Sequence, residues 1–172
     1  METTHSLKIF TEYVDKLPGK ERAFDLGCGI GRVTKHILSN VFTNIDLLDQ
    51  SDAQITEARN YLSDIPGTSF YAGGMQDHIW NPNVFYDCIW LEWFLMYLTD
   101  DDLVKSLKQC AEQLTNGENG SGLIVIKENV KEAGIHYDSE DNSVIRSIFH
   151  FECIFDAAGL KVIHSSEMPE WP

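Results

Sequence analysis

No apolar run in this sequence approaches the ~18 residues that a membrane-spanning helix needs, so no such helix is expected. The opening "METTHSLKIF" has no basic patch ahead of a long apolar stretch, and a secretory signal is not expected either. Cysteine is scarce. Cys28, Cys88, Cys110 and Cys153 stand far apart, without the paired spacing of a zinc site or a disulfide framework, so a bound metal is not expected. Reduced thiols in a cytoplasmic or nuclear protein are the plain reading. Basic residues are few, 13 Lys and Arg against 27 Asp and Glu, for a net charge of −14. That excess repels phosphate backbones and argues against nucleic-acid binding through a general basic surface. A basic partner is the complement it fits best, although a plain solvated surface would look the same.

The chain has 172 residues, 43% of them hydrophobic and 23% charged, enough for one domain with its own core over residues 1–172. Repeats and low-complexity tracts are absent. Strand and helix patterns alternate. "LKIFTEYVDKL" has helical spacing, "RAFDLG" reads as a short buried strand, and "GRVTKHILSN" as a helix. "NIDLLD" is a second strand, followed by a helix capped at Ser51 or Asp52. "TSFYAGG" and "FYDCIWLEWFL" are further strands, the latter turning into a loop near Glu92. "TDDDLVKSLKQCAEQL" is a capped amphipathic helix, "NGENGSG" a loop and "GLIVIKEN" a buried strand. "DNSVIRSIFHFECIFDAAG" reads as one helix ending at Gly159, and "LKVIHSSE" as a final strand. This order predicts a doubly wound α/β fold with a mostly parallel sheet. Ligands of such sheets bind beyond the carboxyl ends of the strands, where the strand order switches. Chemistry is therefore expected among Asp25–Gly31, Asp49, Gly74–Asp77, Glu92–Trp93 and Lys127–Asn129.

The stretch "DLGCGIGR" is the most informative. Its glycines are Gly27, Gly29 and Gly31, giving D-x-G-x-G-x-G. A dinucleotide fingerprint would place its last glycine, the one that allows close helix packing, at Arg32. The spacing therefore argues against a pyrophosphate and for S-adenosylmethionine, whose adenosyl group needs close backbone approach and whose amino-acid end needs charged partners. Asp25 is placed to hold the ligand's ammonium, and Asp49, at the end of the second strand, to accept both ribose hydroxyls. "GGMQD" offers Met75 and Gln76 to the adenine, or is an ordinary strand-to-helix loop.

The chain resembles the protein N-terminal α-amine methyltransferases over about residues 7–169. The resemblance is carried by "DLGCGIGRVTKHIL", "GMQD", "YDCIWLEWFLMYLTDDDL", "GLIVIKENV" and "DSEDNSVIRS". It implies a Rossmann-like, S-adenosylmethionine-dependent fold and methyl transfer to the α-amine of proteins that begin X-Pro-Lys. Gly27, Gly29 and Arg32 then match cofactor-contacting positions, with the arginine facing the methionine carboxylate. Asp49 matches the ribose-binding acid, Met75 and Gln76 the adenine-side loop, and Trp93 a wall of the peptide channel. Asn129, Asp138, Asp141 and Ser143 match polar groups near the bound peptide. Asp141 is implied nearest the amine, Asp138 at the substrate's basic third residue, and Asn129 near its first. Tyr97 stands where many relatives have a histidine, and Glu92, on the cofactor side, where they usually have glutamine. The upstream covering loop and the last strand of the family are expected to be missing. Taken together, the implied protein is a monomer that acts on basic protein N-termini. A small-molecule methyltransferase and a catalytically weak binding module of the same fold remain as alternatives.

Overall fold

The structure is a computed structural model that describes residues 2–117 and 120–168, with side chains from residue 6 onward. Residues 118–119 of the expected loop, and the "PEWP" end at 169–172, lie outside the described residues. The elements in chain order are α1 (Glu2–Val14), β1 (Arg22–Leu26), α2 (Arg32–His36), β2 (Asn44–Asp49), α3 (Asp52–Tyr61), β3 (Thr68–Ala72), β4 (Cys88–Glu92), α4 (Asp100–Glu112), β5 (Asn116–Gly117), β6 (Gly120–Ser121), β7 (Leu123–Lys127), β8 (Val130–Lys131), β9 (Ile135–Asp138), β10 (Ser143–Ser147) and α5 (Ile148–Ala157). Single 3₁₀ turns lie at Leu38–Asn40, Met75–Asp77 and Leu95–Tyr97.

Five strands form one sheet in the order β3-β2-β1-β4-β7, with every pairing parallel. Both faces are covered, which is why the central strands read as near-continuous apolar runs. Alternation along each strand still divides the core. Phe24 and Leu26 of β1, with Ile89 and Leu91 of β4, face the layer of α4 and α5. Ala23, Cys88 and Trp90 face the layer of α1, α2 and α3, where Phe10, Ile37 and Ile55 pack. The strand order reverses between β1 and β4, so a crevice opens above their carboxyl ends. Helix starts follow the capping rules. Ser51 accepts from the Gln54 N–H, Thr99 from the Asp102 N–H, and Ser147 from the His150 N–H.

Three expectations from the sequence need correction. The expected helix from Asp141 begins only at Ile148. Before it, Ser143–Ser147 is a strand, antiparallel to β9 and parallel to β8, in a separate three-stranded sheet. Asn142 sits at φ 60 in the tight connection from β9, a conformation that asparagine tolerates better than most residues. The second expected helix is short: it ends at His36 and gives way to the 3₁₀ turn. The segment "LKVIHSSE" has strand-like alternation, yet residues 160–168 pair with no other described strand. Val162 and Ile163 are exposed there. Alternation marks two faces; a strand also needs a neighbour to complete its ladder. The expected loop after α4 carries the two-residue pairing of β5 with β6.

Candidate active site

The glycine turn begins as β1 runs out. The N–H groups of Gly27 and Cys28 both donate to the Leu48 carbonyl, tying the turn to β2. Gly27 has φ 69 and lies directly beneath the Phe94 ring, so any side chain there would collide with it. Gly29 has φ 54, and its N–H donates to Asp49 Oδ2 at 2.9 Å. The other carboxylate oxygen, Asp49 Oδ1, accepts from the Ser51 N–H at 2.9 Å. Gly31 is different. It is buried at φ 83, and a Cβ built on it would lie 2.5 Å from Leu62 Cδ1 and 3.3 Å from Leu47 Cδ2. It lines neither of the two clefts described below, and its missing side chain lets the turn sit tightly against Leu47 of β2 and Leu62 at the end of α3. The close-packing role therefore falls one position before the one that a dinucleotide fingerprint uses.

Two adjoining clefts open at the switch point. The smaller, about 150 Å³, is lined by Asp25, the turn from Gly27 to Ile30, Arg32, Val33 and Glu92. The larger, about 350 Å³, runs from Gly27, Gly29 and Asp49 past Met75 and Gln76 to Trp93, Phe94 and Tyr97. The structure thus gathers eight of the nine residues expected on the cofactor side, along with two of the expected substrate residues.

Asp25 is buried, and its Oδ2 accepts from the Thr34 hydroxyl at 2.7 Å and the Thr34 N–H at 3.2 Å. Burial lifts its carboxyl to about 7; the Thr34 hydrogen bonds oppose that rise, and the negative charges of Glu92 and Asp49 add to it. The free acid has a much lower pKa, so over the interval between the two values the folded chain holds a proton that the unfolded chain has released. Folding stability contributed by this site therefore falls as pH rises through that interval, and the full cost is present above about 7. Asp25→Asn keeps an acceptor for Thr34 and removes the charge. It should be more stable than the parent at pH 8, with the difference vanishing below about pH 4; thermal unfolding at both pH values checks this.

Glu92 ends β4 with its side chain 8% exposed. Its Oε2 accepts from Trp90 Nε1 at 2.9 Å, and its Oε1 lies 3.2 Å from Lys127 Nζ and 3.7 Å from an Arg32 guanidinium nitrogen. The added negative charge at this position is thus held by two cations. Trp93 follows at φ 59, a left-handed conformation that costs a bulky residue roughly 1–3 kcal/mol.

The remaining expected residues come from the segment between β7 and β10. Neither cleft is lined by Asn129, Asp138, Asp141 or Ser143. Asn129 is exposed, and its N–H donates to Glu128 Oε1 at 2.8 Å. Asp138 Oδ1 accepts from the Glu140 N–H at 2.9 Å within its own turn. Asp141 approaches the larger cleft on the side of Tyr97. Its Oδ1 accepts from the Ser143 N–H at 2.9 Å, and Ser143, with a lesser influence from the nearby Tyr97 hydroxyl, holds its carboxyl below the ordinary carboxylate range. Tyr97 itself lines the larger cleft.

Three residues that matter here, Phe94, Arg146 and Asp100, were not singled out from the sequence, and Glu128 was given only within the range Lys127–Asn129. Phe94 roofs Gly27. Glu128 Oε2 accepts from the Leu95 N–H at 2.9 Å and anchors the 3₁₀ turn that carries Tyr97. Arg146, 1% exposed, donates to Asp100 Oδ1 at 2.8 Å and to the carbonyls of Leu95, Leu98 and Val144. Asp100 accepts in turn from His150 at 2.7 Å; burial pushes its carboxyl up, but the hydrogen bonds of Arg146 and His150 outweigh that and lower it. The one available signal was an arginine among apolar residues in "SVIRS", which marks a buried charge that needs a partner.

These residues suit S-adenosylmethionine. Each oxygen of Asp49 is fixed by one backbone N–H and retains a lone pair for one hydroxyl of a vicinal diol. The smaller cleft offers both carboxylates and a guanidinium to a zwitterionic end group. The turn at Gly27 and Gly29 presents bare backbone to whatever lies along it.

The fold and this site are those of the S-adenosylmethionine-dependent methyltransferases. A solved structure of such an enzyme from Leishmania major superposes with a TM-score of 0.85 at 33% identity, covering 99% of this chain and 68% of that one. The chain belongs to the family of AdoMet-dependent proline di-methyltransferases, whose model matches residues 5–172. Among its relatives are the alpha N-terminal protein methyltransferase 1 of Dictyostelium discoideum, 38% identical over 153 residues, and the N-terminal Xaa-Pro-Lys N-methyltransferase 1 of Danio rerio, 36% identical over 172. The alignments span 87% and 97% of this chain, and 54% and 75% of those relatives.

Proposed function

We propose that this chain transfers methyl groups from S-adenosylmethionine to the α-amine of protein N-termini of the Xaa-Pro-Lys type. The observation that carries this reading is the hold of Arg146 on the cleft: from β10, directly after the acidic turn, it donates to the carbonyls of Leu95 and Leu98, which lie at either end of the 3₁₀ turn carrying Tyr97. That contact fastens the strand following the acidic segment 138–141 to the turn at the rim of the cleft holding Gly27, Gly29 and Asp49. An acid at that rim suits an incoming cationic terminus, and the net charge of −14 suits it as well.

The residues have distinct work to do. A protein α-amine has a pKa of about 7.7–8.0, so near neutral pH most of it carries a proton and no lone pair. S-adenosylmethionine supplies an electrophilic methyl on its sulfonium. Asp141 is ionised across the assay range and draws the cationic amine into the site, and the amine's proton is lost through water to solvent before the lone pair attacks. Trp93 and Tyr97 wall the approach and hold the amine in line, and positioning of that kind provides much of the rate. Asn129 contacts the peptide near its first residue, and Asp138 receives the basic third residue. We place the protein in the cytoplasm, with access to the nucleus, and read it as a monomer.

With Asp141 already ionised, the substrate amine is the group whose titration sets the rate. Initial rates at subsaturating peptide should rise about tenfold per pH unit from pH 6 to 7 and level off above about 8. An acid limb with a midpoint near 6.5, the signature of a catalytic histidine, should be absent from the profile. The function itself is tested with methyl-labelled donor and two peptides, Ser-Pro-Lys-Arg with a free amine and the same peptide N-acetylated. Label on the free peptide alone supports the proposal. Equal labelling of both points to a lysine methyltransferase, and labelling of neither, with turnover on a small amine, points to a small-molecule enzyme.

A further inference from the structure

Lys127 ends β7 directly across from Glu92, in register with it in the parallel ladder. A lysine at a strand end ordinarily extends its ammonium into water. This one does not: its side chain is 13% exposed, and Nζ lies 3.2 Å from Glu92 Oε1 and 4.4 Å from the centroid of the Trp93 ring. Its carbonyl accepts the Trp93 N–H at 2.9 Å. The same residue therefore grips Trp93 at both ends, backbone to backbone and cation to ring. Arg32 adds a second cation 5.7 Å from that ring. Trp93 needs such restraint, because its left-handed backbone is strained and persists only where the surroundings impose it. The network continues inward. Glu92 is held by the Trp90 indole, which is buried against Phe10 of α1 at 5.4 Å between ring centroids.

We infer that Lys127 is a positioning residue for the methyl-transfer site, fixing the Trp93 indole as a wall of the substrate cleft while its ammonium neutralises Glu92 beside the cofactor cleft. This rests on the function proposed above, because it gives Trp93 a substrate to receive. Two contacts divide the work. The cation–π contact orients a ring in the larger cleft. The ion pair keeps Glu92 from facing the smaller cleft as a bare charge, leaving Arg32 less drawn toward it and more available to a ligand carboxylate.

The test compares Lys127→Met and Lys127→Arg with the parent protein, in steady-state methyl transfer, S-adenosylhomocysteine calorimetry and acrylamide quenching of tryptophan emission. The methionine variant fills the volume without the charge. It should raise peptide KM by about fivefold or more at saturating cofactor, change kcat less than threefold and weaken S-adenosylhomocysteine binding by about threefold to tenfold, because Glu92 then draws Arg32 from the ligand. Arginine should recover most of the KM. Quenching of the Trp93 emission, obtained by difference against a Trp93→Phe background, should increase in Lys127→Met. An unchanged KM and unchanged quenching, with only a lower melting temperature, would reduce Lys127 to a structural ion pair and overturn the inference. If the parent protein turns over no peptide, the proposed function fails, and the quenching comparison still decides whether Lys127 holds Trp93.

Discussion

Asp49→Ala weakens S-adenosylhomocysteine binding by 100-fold or more: that is the largest effect the structure leads us to expect. Hydrogen bonds to a charged group are worth about 1.5–3 kcal/mol each, and a vicinal diol makes two. A combined loss of about 3–4 kcal/mol corresponds to a factor of several hundred. The substitution also removes the acceptor that fixes the Gly29 N–H and the one that fixes the Ser51 N–H. The turn and the start of α3 then lose their common anchor, so the pocket is less ordered before ligand arrives. Asp49→Asn retains one acceptor oxygen and should fall between the parent and the alanine variant. Isothermal titration at constant pH measures all three. A loss under threefold for Asp49→Ala would mean that the ribose does not lie at the end of β2.

The second large effect is on stability. Arg146→Met should destabilise the chain by about 3 kcal/mol, because removing one partner of a buried ion pair strands the other. The guanidinium is fully enclosed, but Asp100 is 49% exposed and also holds His150, so water and histidine recover part of the loss. That places the expectation at the low end of the 3–5 kcal/mol range for such deletions. The carbonyls of Leu95 and Leu98 lose their donor at the same time. For a chain of this length the change corresponds to a fall in melting temperature of about 6–12 °C. Urea denaturation with an unchanged slope checks it. The functional consequence is specific: Arg146 fastens β10 to the 3₁₀ turn that carries Tyr97, so the surviving folded protein should bind peptide less well while still binding S-adenosylhomocysteine. A variant with parental stability would show that β10 is held by something else.

The central sheet could be read from the sequence because its strands are short apolar runs closed by glycine, aspartate or serine. "RAFDLG", "NIDLLD" and "GLIVIKEN" state both their length and their burial. The cofactor side was equally open to reading, because the spacing from Asp25 through the glycines and the acid at Asp49 are backbone requirements written into local sequence. The packing of Gly31 was not legible, since two uses of glycine look alike in a sequence: bare backbone for a ligand, and bare backbone for a neighbouring leucine.

The acidic segment was harder. "DNSVIRS" continues into a true helix, and its four turn-forming polar residues look like a helix cap. Yet "IHYD" and "SVIR" on either side of Ser139–Asn142 alternate as a hairpin does, and that signal was available. The fate of "LKVIHSSE" was not, because a strand is made by its partner as much as by its own residues. Long-range polar contacts were out of reach for the same reason. Nothing local to Lys127 says that its ammonium turns back to Glu92 and Trp93, and nothing local to Arg146 points to Asp100, 46 residues earlier.

The most direct test of the account is to locate the transferred methyl. The purified chain, incubated with S-adenosylmethionine and a Ser-Pro-Lys-Arg peptide, is followed by tandem mass spectrometry of the product, with Asp141→Asn run in parallel. Mass added to the N-terminal fragment, and lost in the Asp141→Asn reaction, is the result this structure leads us to expect. Methyl found on the lysine side chain, or N-terminal methylation undiminished by Asp141→Asn, would contradict it.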